Sequence, residues 1–306
     1  MPEGDTVFRT AARLHAALAG APLVLSDLRW PSLATADLVA ATTTEVVPRG
    51  KHILQRLDRG LTLHSHLRME GQWRVARPGP ETSRLLRRAD LRAAVGTAVW
   101  TAAGLRLGML DLVPTAREGD LVGHLGPDVL GPDWDAAAAT AAVTAYPRTV
   151  GEALLDQRTL AGVGTYWASE GLFLERVLPW TPAAQVPPEG AERVVERIHR
   201  LMTVAKDSAV QSSTGSHRAG ETSYVHGRSG RPCRRCGDTV RVALLGAEPR
   251  ARTMFSCPTC QGGWAPTDDR GPQRPLGSGR APTSGRQRDG GRGGAGAGAG
   301  FRPRTG

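Results

Sequence analysis

All four cysteines of the chain, Cys233, Cys236, Cys257 and Cys260, fall in one short stretch with the spacing C-x2-C-x20-C-x2-C. Two such knuckles can close a tetrahedral four-thiolate site, the usual arrangement of structural zinc. Four thiolates leave no open position for a substrate, so a metal held there would brace the fold. Two disulfides or free thiols are the alternatives. The N-terminus, MPEGDTVFRT, carries acids and lacks the apolar core of a secretory signal, so a reducing compartment and one structural Zn2+ are expected. Thr239–Leu245 and Arg252–Ser256 read as strands around the Gly246–Arg250 turn, making the module a metal-stapled β-hairpin. Arginines 231, 234, 235, 241, 250 and 252 lie on or beside it. They suit a phosphate backbone, although several could serve solubility alone.

The second group that could do chemistry is the N-terminus. Pro2 follows the initiator Met, and removal of Met1 would expose a secondary amine beside the Glu3 carboxyl. An α-amino group titrates near ~7.7–8.0, against ~10.4 for Lys, and its neutral form attacks a carbonyl carbon to give an imine. The adjacent carboxyl can move a proton. Of 39 basic residues only Lys51 and Lys206 are lysines. A guanidinium effectively never loses its proton, so amine chemistry has few candidates.

The elements that must position these groups follow from patterning. The chain has 306 residues, 40% apolar and 5% aromatic, room for about two domains with cores of Ala, Leu and Val. No run of ~18 apolar residues is present, so no spanning helix is expected. The net charge of +10 favours a polyanionic partner. Thr6–Ala19 reads as a helix with Phe8, Ala11, Ala12, Leu14, His15 and Leu18 on one face. Short strands are expected at 23–30, 44–47, 52–57, 61–66, 73–76, 98–101 and 105–110, separated by turns, which is the pattern of a sandwich or barrel. After the Gly126-Pro127-Asp128 connection the chain turns helical, at 136–145, 149–160, 165–177 and 191–208. Ser212–Gly230 is polar and loop-like. From Ala265 onward, eight arginines stand against three aspartates among twelve glycines, half the net charge of the chain. That composition predicts a disordered tail, either solubilising or holding nucleic acid electrostatically.

Four features coincide: the MPEG start, the Gly50-Lys51 turn, LDQRTLAGVG at Leu155–Gly164, and the four-cysteine hairpin carrying Arg252. Together they resemble the formamidopyrimidine-DNA glycosylase/endonuclease VIII family over about Pro2–Gln261. The PEG opening, in place of the PEL of the formamidopyrimidine branch, is similar to the endonuclease VIII branch. MPEGDTV and GRPCRRCG are similar to its actinobacterial members. The resemblance implies an α+β, two-lobed fold. Residues 1–125 would form an N-terminal β-sandwich with its helix, and 126–230 a helical DNA-binding lobe with a helix–two-turn–helix. Residues 231–266 would form the zinc hairpin and 267–306 the disordered tail.

The resemblance also implies roles. Pro2 would be the Schiff-base nucleophile and Glu3 the acid that assists base release. Lys51 would move the proton in β-elimination and touch a phosphate, and Arg252 would grip the lesion phosphates and assist δ-elimination. Met69 matches the wedge that fills the hole left by a flipped base, Arg68 a polar filler beside it, and His124 a basic position near phosphate. Asp156 and Gln157 are expected to be structural. Thr165 stands where the family has Asn, at the start of the second helix of the motif. Its hydroxyl can cap that helix and bond a phosphate, at a helix start whose outward-pointing N–H groups favour an anion. Glu70 stands where some relatives have an aromatic, and the void-filling loop of the formamidopyrimidine branch is not evident before Gly126. The expected function is a bifunctional DNA glycosylase and abasic-site lyase acting on oxidised bases, chiefly pyrimidines. The expected partner is damaged DNA, with no membrane and no small-molecule cofactor, and the protein is expected to be a monomer in the bacterial cytoplasm, at the nucleoid. The alternatives are a non-catalytic, zinc-dependent damage binder and a lyase with weak glycosylase activity.

Overall fold

The computed structural model describes residues 2–275. The expected tail from 276 to 306 lies outside the described residues.

Helix α1 (Gly4–Leu18) opens the N-terminal lobe, with Glu3 in extended backbone at its N-cap. Val7, Ala11, Leu14 and Leu18 are buried, the stripe of an amphipathic helix. Phe8, expected on that stripe, lies half-buried instead, with Lys206 Nζ 4.5 Å from its ring centroid. Eight strands follow: β1 (Leu25–Leu28), β2 (Thr43–Arg49), β3 (His52–Leu57), β4 (Leu61–His66), β5 (Gln72–Ala76), β6 (Leu91–Gly96), β7 (Thr101–Leu105) and β8 (Met109–Pro114). They form two antiparallel four-stranded sheets, ordered β1-β6-β7-β5 and β2-β3-β4-β8. Leu14, Leu18, Ile53, Leu63, Val95 and Leu110 fill the core that α1 and the two sheets share.

Pattern and structure part at β6. Ala93, Ala94 and Gly96 are weak strand formers, yet both alanines are fully buried. The outer side of that sheet holds a second small core, where Leu91, Ala94, Ala103 and Leu105 meet Leu85 and Leu86 of helix α2 (Pro80–Leu86). The segments expected as strands at 98–101 and 105–110 straddle the real ends of β7 and β8. Arg106, at φ 49°, turns the chain between them.

A linker containing α3 (Gly119–Val122) leads to helices α4 (Ala136–Thr144), α5 (Val150–Leu155), α6 (Thr165–Leu174) and α7 (Pro188–Ala205). Asp135 caps α4 by accepting from the Ala137 and Ala138 N–H groups. Thr149 and Glu152 form a capping box on α5. Trp167, Leu172, Val194, Ile198 and Met202 are buried together in this lobe's core. Strands β9 (Arg241–Leu245) and β10 (Arg252–Ser256) form the hairpin, followed by α8 (Pro258–Gln261). The polar segment at 212–230 has no regular element, but α6 holds it. The buried Glu170 carboxylate accepts from the N–H groups of Tyr224, Val225 and His226 at 2.7–2.9 Å and from the Ser213 hydroxyl.

One boundary is corrected. Residues 267–275, assigned to the tail by composition, pack along the hairpin. Arg241 makes a bidentate pair with Asp268, both side chains at least 94% buried (6% and 1% exposed). The Gln273 amide closes two hydrogen bonds on the Val242 backbone, at 2.9 and 3.0 Å. Composition does not register such specific bonds. Asp268→Ala would remove the bidentate partner of Arg241 and leave it the Gly271 carbonyl at 2.8 Å, so it is expected to destabilise the hairpin by about 1.5–3 kcal/mol. Faster amide exchange along β9 would read that loss.

Candidate active site

Glu3 lies behind the site and explains its construction. Its carboxylate is buried and accepts from the N–H groups of Gly164 (2.8 Å), Tyr166 (2.8 Å) and Trp167 (3.3 Å). They belong to the N-cap and first turn of α6, a helix end that favours an anion. The α1 N-terminus is tied to the same loop, where the Gly4 N–H donates to the Gly162 carbonyl at 2.9 Å. Gly164 admits no side chain, because a Cβ there would come within 2.4 Å of Glu3 Cδ. Burial lifts the Glu3 carboxyl above the ordinary carboxylate range, against the Lys51 charge and the α6 N–H donors, which pull it down.

Lys51 follows Gly50, whose φ of +57° suits glycine. The Gly50 N–H donates to buried Asp128 at 2.6 Å, so the linker fixes the turn that carries the lysine. Lys51 Nζ donates to the Val163 carbonyl at 2.6 Å. Burial lowers its pKa, Glu3 opposes that, and Arg252 adds to it. A larger share of free amine results.

Pro2, Lys51, Arg68, Met69, His124, Thr165 and Arg252 all line one cleft of about 1000 Å³. The structure therefore brings together every expected site residue except buried Glu3, which backs the cleft, and the four cysteines. Met69 is 67% exposed, placed on the cleft and not in a core. Arg68 beside it takes φ 50°, and Gly108 leaves room for its side chain: a Cβ there would meet Arg68 Cγ at 2.4 Å. Glu70 pairs with Arg106 at 3.5 Å. Arg252 opens β10 and is exposed. Arg148, Arg158 and Arg250 also line the cleft, adding charge suited to a polyanion.

Thr165 lines the cleft at the start of α6. The N–H groups of Gly164, the α6 N-cap, and of Tyr166 and Trp167 in its first turn donate to Glu3 and are not free for a phosphate. Gln157 is structural as expected: its amide donates to the Leu155 and Val163 carbonyls and accepts from the Gly162 N–H. Asp128 was missed because Gly-Pro-Asp reads as punctuation. A histidine cluster at His52, His64 and His66 was also missed, since only strand register assembles it.

The cysteine sulfurs all lie within 4.8 Å of one another. Cys233–Cys260 is 3.9 Å and Cys236–Cys257 3.5 Å. Disulfides would need about 2.05 Å, whereas thiolates about 2.3 Å from a tetrahedral zinc sit roughly 3.8 Å apart. Both donor set and spacing fit zinc. Among the described residues no helix is long and apolar enough to cross a membrane.

Comparison with known proteins agrees with this geometry. Residues 1–109 match the formamidopyrimidine-DNA glycosylase N-terminal domain, and 125–216 the formamidopyrimidine-DNA glycosylase H2TH domain. The chain is 49% identical over 267 residues to a probable endonuclease 8 2 of Streptomyces coelicolor, covering 87% of this chain and 96% of that one. It is 40% identical over 262 residues to the DNA-(apurinic or apyrimidinic site) lyase Nei2 of Mycolicibacterium smegmatis, covering 85% and 99%. Its fold is similar to the Lactococcus lactis formamidopyrimidine-DNA glycosylase bound to abasic-site DNA, with a TM-score of 0.71, 22% identity and coverage of 85% and 99%. The chain belongs to the formamidopyrimidine-DNA glycosylase/endonuclease VIII family of base-excision repair glycosylase/lyases.

Proposed function

We propose that the protein removes oxidised bases, pyrimidines above all, from damaged DNA through a Schiff base at Pro2, then cuts the abasic strand by β,δ-elimination. The observation that carries this is that Pro2, whose amine removal of Met1 would free, lines the same cleft as Lys51, with buried Glu3 behind it. A base inside a duplex is out of reach, so the nucleotide flips out at a cost of a few kcal/mol. Met69 enters the gap, an unbranched side chain that adapts to it. Glu3, whose hold on a proton burial strengthens, hands its proton to the departing base. The Pro2 nitrogen bonds to C1′ as the base leaves. Lys51, as free amine, takes a proton from C2′, and the 3′ phosphate departs. Arg252 holds the phosphate at the lesion and assists loss of the 5′ phosphate. Thr165 and His124 contact the flanking backbone. Cys233, Cys236, Cys257 and Cys260 would hold one Zn2+, which stabilises the hairpin carrying Arg252 and takes no part in the reaction. The protein works as a monomer in the cytoplasm, on the nucleoid.

The pyrimidine reading rests on the PEG opening in place of PEL and on the lack of an evident void-filling loop before Gly126. Single-turnover cleavage of matched duplexes tests it. Dihydrouracil or thymine glycol is expected to be cut at least about tenfold faster than 8-oxoguanine opposite cytosine; the reverse order would contradict the preference. The intact amine–carboxyl–lysine set favours this reading over a damage binder.

A further inference from the structure

A second buried acid, which the proposed reaction does not use, stands beside Glu3. Asp5, in the first turn of α1, is fully buried. The Trp167 indole N–H donates to Asp5 Oδ1 at 3.1 Å, and the Gln211 amide donates to Asp5 Oδ1 and Oδ2 at 2.9 and 3.1 Å. Both partners are neutral, so they turn hydrogens toward the carboxylate without cancelling its charge. Trp167 also reaches Glu3, its backbone N–H donating to Oε2 at 3.3 Å. One residue of α6 thus holds both acids.

We propose that Asp5 is a positioning residue for Glu3, its buried negative charge strengthening the hold of Glu3 on the proton that leaves with the base. This rests on the reading of Glu3 as the acid of base release. Two carboxyl groups in one dry site lose their protons in sequence, because the low dielectric screens their repulsion poorly. An aspartyl carboxyl is intrinsically the stronger acid, near ~3.9 against ~4.3 for a glutamyl one, so Asp5 is the member suited to carry the charge. Pairs whose surroundings separate them in this way divide into one fixed anion and one working acid. Asp5 is closed off from DNA by its burial, so it reaches the reaction only through Glu3.

The surroundings of Glu3 leave this role to Asp5. Burial is the largest influence raising the Glu3 carboxyl, and the Asp5 charge adds to it; the Lys51 charge and the Tyr166 and Trp167 N–H groups oppose them. Lys51 comes from the turn before β3 and Asp5 from α1, and removal of Met1 would add the Pro2 amine. The first turn of α6, Thr165-Tyr166-Trp167, brings N–H donors and no charged side chain. From α7 comes apolar Met202, set against Gly4. Of these groups Asp5 alone is negative.

The test is Asp5→Asn in the full-length protein. Its amide oxygen still accepts from the Trp167 indole, and the Gln211 amide can turn to accept from the new NH2, so the charge goes while the bonds stay. Asp5→Ser, smaller and also neutral, is the second variant, and Glu3→Gln runs in parallel. Single-turnover excision from a lesion duplex and elimination on a preformed abasic duplex are followed across pH. The Glu3 carboxyl is titrated by carbon-13 NMR, its signal identified by its loss in Glu3→Gln. For Asp5→Asn, the pH at which excision falls off and the Glu3 titration are both expected about one pH unit lower. Excision is then about tenfold slower above that pH and unchanged below it, with elimination within about twofold of the wild type. An unshifted profile and titration in the neutral variants, or an equal loss of excision at every pH, overturns the proposal; the acid reading stands if Glu3→Gln still loses excision. A Glu3 carboxyl titrating at or below the ordinary ~4.3 in the wild type overturns it without any Asp5 variant. If Glu3→Gln excises with the wild-type pH profile, the acid reading and the proposal both fall.

Discussion

Glu3→Gln is expected to lose base excision by about 10²–10⁴-fold while cleavage of a preformed abasic site stays within about tenfold of the wild type. The Glu3 carboxylate accepts three N–H groups at the α6 N-terminus. A glutamine keeps the shape and one acceptor oxygen but has no proton to give a departing base. Its amide NH2 also faces backbone donors, which costs some order in the loop at 162–164 and explains a small loss on abasic DNA. The two half-reactions should respond oppositely to pH. Glu3 acts when protonated, so excision falls as pH rises through its raised pKa. Lys51 acts when deprotonated, so elimination falls as pH drops through its lowered pKa. Single-turnover rates on a lesion duplex and an abasic duplex of the same sequence check both statements. Equal losses on the two substrates would mean that Glu3 only positions the N-terminus.

Cys257→Ser is expected to release the metal and lower lesion cleavage by at least about 10²-fold, with the N-terminal lobe still folded. Structural zinc contributes roughly 10–16 kcal/mol of binding energy that is also folding energy. Cys257 is fully buried, and its N–H is held by the Gln261 side chain at 2.8 Å. Loss of this ligand therefore opens the knuckle that follows β10, the strand carrying Arg252. The sandwich has its own core, built from α1 and both sheets. Metal analysis should give one zinc per wild-type chain and none in the variant. Far-ultraviolet circular dichroism should keep its sheet signal. A fresh wild-type preparation without zinc would defeat the prediction.

The strands His52–Leu57 and Leu61–His66 were legible to the residue, because each is a short run with apolar residues, separated by Gly-containing turns. β6 was not, since its alanines owe their strand conformation to neighbours on both faces and not to their own preference. The cysteine cluster was legible because its spacing is itself a geometric statement. Pro2, Glu3 and Lys51 were legible as reactive types, and the resemblance joined them. Their supports were not. Glu3 meets partners about 160 residues away, and Asp128 meets Gly50 across 78 residues. Such contacts leave no local period. The capture of the Gly164, Tyr166 and Trp167 N–H groups by Glu3 was hidden for the same reason: nothing near Thr165 reveals it.

The most direct test of the central claim is where the covalent bond forms. Wild-type protein of known intact mass is incubated with abasic-site duplex and borohydride, then digested and mapped by mass spectrometry. The account predicts loss of Met1 and a reduced adduct on the Pro2 nitrogen. An adduct on Lys51 or Lys206, or no adduct at all with an N-terminus shown to begin at Pro2, would contradict it.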